Sequence, residues 1–183
     1  MKTLRTGLIY AATLFFISPL MAQTKNAFQY IGSDGCKKCH LTAKSGAAYK
    51  VWQKTKHANA FATLASEEAK AIGKKMGIED PQKSDKCLEC HVTAFGVAKE
   101  RLGAKFSHEE GVGCEVCHGA GEKYADKAVK AGIADGSIAK ASVGLIEPNE
   151  ETCKSCHNEK SPTFKGFDFA EKAKEIAHPT PKS

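Results

Sequence analysis

Apolar side chains recur along this chain at three- and four-residue intervals, and little of it alternates as a half-buried strand would. Ala48, Val51, Trp52, Thr55 and Ala58–Phe61 form a stripe at helical spacing, which predicts a helix over 42–64. Ser66 can cap a second helix that runs to about Met76 and stops at Gly77. A third is predicted from Cys114 to about Lys130, ended near Gly132. Asn149 can cap a short helix leading into Cys153, and Asp168 can cap 169–177 ahead of His178-Pro179. Residues 132–148, with Gly132, Gly136, Gly144 and Pro148, read as a loop. The fold class expected is mostly α, a single helical domain with long irregular loops.

The long apolar run lies at the start, from Gly7 to Ala22, behind Lys2 and Arg5. Leu20-Met21-Ala22 places a small residue before Gln23, so 1–22 reads as a secretory signal peptide and 23–183 as one mature domain. The run falls short of the roughly 20 residues a spanning helix needs and is interrupted by Pro19, which argues against an anchor. No cysteine stands directly after the cleavage point, so no lipid anchor is expected, and no span follows it. The expected location is the periplasm.

Eight cysteines in an exported chain first suggest disulfides. Their spacing points elsewhere. They fall as Cys36-Lys-Lys-Cys39-His40, Cys87-Leu-Glu-Cys90-His91, Cys114-Glu-Val-Cys117-His118 and Cys153-Lys-Ser-Cys156-His157, with none left over. This is the attachment pattern of c-type haem. Two thiols three positions apart lie on one side of a helical turn and can form thioethers with the two vinyl groups of a porphyrin. The histidine that follows then supplies the iron's fifth ligand. Paired zinc sites or redox dithiols would not require that histidine. Histidine is 7 of 183 residues, so four such placements by chance would be on the order of one in a million. The cofactors expected are four covalently bound haem c groups.

The mature chain has too few residues per haem to give each cofactor its own shell, so the haems are expected to share walls around a packed haem core. The formal net charge of +6 falls to +4 once Lys2 and Arg5 are removed with the signal. The surplus is expected to balance haem propionates, with no nucleic acid as partner.

Three histidines remain for sixth ligands: His57, His108 and His178. Four haems cannot then all be bis-histidine, and Met76 is the sole methionine after residue 22. Trp52 reads as core or haem-wall packing. Glu89, Glu109 and Glu110 are candidate acids for a reactive iron, with solvated surface charge as the simpler reading.

The chain resembles the tetrahaem cytochromes of the cytochrome c-554 family. The resemblance rests on Cys36-Lys-Lys-Cys39-His40 followed by Trp52 and His57-Ala58, on Gly111-Val-Gly-Cys114-Glu-Val-Cys117-His118-Gly119-Ala-Gly121, and on the final His178-Pro179. It implies His108 distal to the haem on His40, His57 distal to the haem on His118 and His178 distal to the haem on His157. The haem on His91 is then five-coordinate. It also implies an electron carrier between redox partners, a multihaem oxidoreductase as donor and a cytochrome or a membrane quinone-linked protein as acceptor. The alternative is a nitric oxide or other nitrogen-oxide reductase acting at the His91 haem. A sensor or conduit subunit is a third reading, without an appended signalling domain to support it.

Overall fold

The computed structural model describes residues 28–179, so the signal peptide expected over 1–22 lies outside the described residues. Nine short helices carry the fold among them: α1 Ser33–His40, α2 Ala48–Gln53, α3 Ala60–Thr63, α4 Glu67–Lys75, α5 Asp85–His91, α6 Cys114–His118, α7 Lys127–Ala134, α8 Glu150–Lys154 and α9 Phe169–Ile176. Six 3-10 turns join them. No strand occurs among the described residues, and one parallel bridge pairs Tyr30 with Leu102. The expected mostly helical class holds. No helix among the described residues is long and apolar enough to cross a membrane.

Local chemistry fixed several ends as expected. The Ser66 hydroxyl accepts from Ala69 N at 3.1 Å and opens α4. Asn149 and Thr152 form a reciprocal capping box at α8. The Asp168 carboxylate accepts from Glu171 N at 2.9 Å and opens α9.

Two predicted helices are broken, each by a distant partner. The continuous helix over 42–64 is four pieces: a 3-10 turn Ala43–Ser45, α2, a second turn His57–Asn59, and α3. Gly46 and Ala47 both take positive φ, 80° and 49°, which starts α2 afresh. Farther on, the His57 carbonyl accepts both from Ala60 N of its own 3-10 turn and from the distant Val112 N, the latter at 3.0 Å. The helix predicted from Cys114 to Lys130 stops at His118. Gly119 sits at φ 79°, where any Cβ would overlap the Gly144 carbonyl, so only glycine fits. Asp126 caps α7 afresh through Ala128 N at 2.7 Å. The loop expected over 132–148 gives its first residues to α7 and contains the 3-10 turn Lys140–Val143.

Among the described residues the buried apolar side chains include Tyr49, Leu64, Val92 and Ala120, and they share the interior with Ser33, Thr93 and Glu115. That is little hydrocarbon to hold a domain by area burial. Backbone hydrogen bonds to buried side chains do much of the tying instead. Glu115, 2% exposed, accepts from Ile31 N at 2.9 Å, Gly32 N at 2.8 Å and Gly121 N at 2.6 Å. Thr93 Oγ1 donates to Gly111 O at 2.9 Å and accepts from Gly113 N at 2.8 Å. Ser33 Oγ accepts from Cys114 N at 3.2 Å. These bonds braid residues 31–33, 93 and 110–121 into one framework around the first and third cysteine units.

Candidate haem centres

The cysteine units sit on helices or directly after one. The first occupies the C-terminal half of α1, the second ends α5, the third is α6, and the fourth starts in α8 and finishes in the turn beyond it. None of the eight cysteines is disulfide-bonded. Among the described residues no three histidine, cysteine or acidic groups converge on one point, so the pairs are not arranged as Cys₄ zinc sites.

The units lie close to one another. Cys114 N donates to Ser33 Oγ at the start of α1, 3.2 Å, which joins the third unit to the first. A cavity of about 320 Å³ opens between the second, third and fourth, lined in part by Glu89, Cys90, Val116, Cys156, Phe95 and Ile146.

One motif histidine is fixed by a bond from its ring to a backbone carbonyl. His91 Nδ1 donates to Ala60 O at 2.8 Å. A carbonyl only accepts, so the bonded nitrogen carries the proton and the other is left as a lone-pair donor, as ligation requires. Burial lowers the pKa of His40, His57, His118 and His157, which favours the neutral, coordinating form.

Two pairs of imidazoles face each other. The His57 and His157 ring centroids lie 5.9 Å apart, and those of His118 and His178 lie 6.0 Å apart. A metal held between two imidazoles, with bonds of about 2 Å to each nitrogen, sets the centroids roughly 6 Å apart. Both gaps fit an iron. Phe167 stacks on the outer side of His157 at 4.8 Å and 18°. The resemblance sets His57 against His118 and His178 against His157; the rings beside them here are those of His157 and His118.

His108 packs edge-on against Phe106 at 5.2 Å, and its Nε2 is buried without a partner. No ring contact among the described residues joins it to His40. Its chain does reach the first unit, since Lys105 and Phe106 lie against Gly32 at the start of α1. An orphaned, buried imidazole nitrogen is costly unless something binds it. The donor set as a whole fits four haems.

The candidate acids separate. Glu109 is exposed surface charge, whereas Glu89, exposed and 3.7 Å from Lys160, also lines the cavity beside Cys90. Glu110 is half-buried. Its Oε2 accepts from Ser33 N at 2.8 Å, its Oε1 has no partner, and desolvation raises its pKa. Trp52 is packing, as expected: its ring lies 5.4 Å from Tyr49 and its Nε1 donates to Val112 O at 2.8 Å. Glu115 was not singled out by the sequence, where it reads as a charge between two cysteines. The glycines at 113, 119 and 121 were its available signal, since a Cβ at Gly121 would press on Glu115 Oε1.

Four cysteine pairs on or beside short helices, each followed by a histidine, and histidine rings about 6 Å apart are the features of a c-type cytochrome. The comparisons with known proteins narrow the class. The family described as "Cytochrome c554 and c-prime" matches residues 35–119. Cytochrome c-554 of Nitrosomonas europaea is 30% identical over 165 residues, covering 82% of this chain and 66% of that protein. The solved reduced state of cytochrome c554 from the same organism superposes with a TM-score of 0.51 at 28% identity, over 81% of this chain and 78% of the other. The chain belongs to the cytochrome c554 family, and covalently bound haem c is its cofactor. It spans about two thirds of the length of the curated relative.

Proposed function

We propose that this chain is an exported periplasmic electron carrier with four haem c groups, its residues 1–22 removed as a signal peptide. The observation that carries this reading is the pair of imidazole gaps, 5.9 Å and 6.0 Å, each between a motif histidine and a histidine outside the motifs. When bound, haem supplies a one-electron iron couple. The chain's part is to hold that iron and deny it other ligands. Cys36 and Cys39, Cys87 and Cys90, Cys114 and Cys117, and Cys153 and Cys156 anchor the porphyrins. His40, His91, His118 and His157 are the proximal ligands. His57 closes the site on His157 and His178 the site on His118. His108, the remaining histidine with a buried free nitrogen, is the sixth ligand at His40.

An iron with two histidines exchanges electrons without binding substrate. Three such sites in one chain support a carrier between redox proteins. The site on His91 lacks a sixth histidine and is the one place where a small molecule could bind. Intact mass of the exported product tests the reading. Four haem increments on residues 23–183 are expected, and fewer would overturn it. Adding nitric oxide to the reduced protein then separates carrier from reductase: a spectral shift at no more than one haem, without sustained turnover, is expected of a carrier.

A further inference from the structure

Residues 35–66 contain six lysines, Lys37, Lys38, Lys44, Lys50, Lys54 and Lys56, and no acidic residue. With these, Lys2, Arg5 and Lys25 taken from the 27 cationic residues, and Asp34 from the 21 acidic ones, residues 67–183 keep 18 cations against 20 carboxylates. The chain's positive surplus is therefore concentrated around the first cysteine unit. Were it there to balance propionates, it would be divided among four units. Two propionates on the first haem would still leave four of these six charges unmatched.

The structure keeps the six lysines free. All are exposed, and none enters an ion pair among the described residues, whereas seven lysines beyond residue 66 do. α1 packs on α2, and Lys37 lies over the Tyr49 ring of α2 at 5.3 Å, so the lysines of the two helices belong to one continuous surface. Lys130 from α7 reaches the same place, with its Nζ 2.9 Å from Cys39 Sγ. Cys39 is the exposed cysteine of the eight. The first unit is thus the one whose attachment cysteine opens outward, among lysines.

We infer that the α1–α2 face is a docking surface for an acidic one-electron redox protein, with electrons crossing at the Cys39 edge of the first haem. A field of one sign around an exposed edge raises encounter rates by 10- to 1,000-fold and orients the partner. The transfer takes one electron from the partner's reduced centre, which is oxidised, and reduces one ferric iron. No bond is made or broken. The crossing rests on the haem reading above; the docking surface does not.

The test uses the holoprotein and, as probe, a reduced plant-type [2Fe–2S] ferredoxin, an acidic low-potential one-electron donor. Stopped-flow reduction is compared for K44E/K50E/K54E and for a control of equal charge change elsewhere, K99E/K165E/K174E. At low ionic strength the first triple is expected to slow the second-order rate at least tenfold and to flatten its salt dependence, and the control to slow it no more than threefold. Equal losses in both triples, or none in the first, overturn the proposal. Dithionite verifies the haem complement of each variant. If the parent shows no haem absorbance, the proposed function fails by itself, and a binding titration with oxidised ferredoxin still decides the surface. If the glutamate triple misfolds, K44Q/K50Q/K54Q gives the same comparison at half the charge change.

Discussion

Residues 31–33, 93 and 110–121 and residues 149–179 each hold a haem attachment unit, and they are built by different means. The first region is stitched from within. Glu115, Thr93 and Ser33 are buried and bonded to backbone, and Cys114 N itself is one of the groups they hold. The second region has no buried residue on α8 or α9. Its ion pairs, Lys154 with Glu150 and Lys172 with Glu175, are exposed. Such pairs contribute under about 1 kcal/mol each. What ties the fourth unit to the rest is His157, between His57 and Phe167, together with Cys156, which lines a cavity with Cys90. One region would keep much of its shape as polypeptide, and the other depends on its cofactor.

The largest expected effect is at the carboxylate of the stitched region. E115A leaves three buried N–H donors without an acceptor, at roughly 1–3 kcal/mol each, so a loss above about 3 kcal/mol is expected by denaturant unfolding of the holoprotein. A loss below about 1 kcal/mol would remove the contrast between the regions.

Next comes the cofactor-dependent region. C153S/C156S is expected to open residues 149–179 to trypsin while 28–121 stays resistant. C114S/C117S should open 28–121 far less than C153S/C156S opens 149–179. Equal digestion patterns for the two double variants would break the comparison.

A smaller effect sharpens it at Tyr49. Burial and the bond to Asp34, 2.7 Å, push its phenol from 10 up to about 12. The folded form therefore keeps a proton that the unfolded chain gives up above pH 10. The stabilisation is complete below pH 10, falls as pH rises, and is gone above about 12. Y49F should flatten that decline, relative to the parent, in unfolding measured from pH 9 to 12.

Features decided by neighbours in the chain were legible in advance. The four cysteine units, the caps at Ser66, Asn149 and Asp168, and the helical class all follow from residues within a few positions of one another. What escaped was set at a distance. The helix over 42–64 breaks where Val112 N also bonds the His57 carbonyl, 55 positions on. α6 stops because Gly144 lies over Gly119. His57 and His178 were singled out as candidate ligands from the number of spare histidines. Which unit each faces depends on how remote segments pack, and no spacing records that.

Electron paramagnetic resonance of the fully oxidised holoprotein bears most directly on the central claim that three histidines outside the motifs complete three irons and leave one open. Low-spin and high-spin ferric haem are expected in a ratio of three to one, with H57A and H178A each moving a further haem to high spin. A parent spectrum with four low-spin haems, or variants that leave the ratio unchanged, would contradict it.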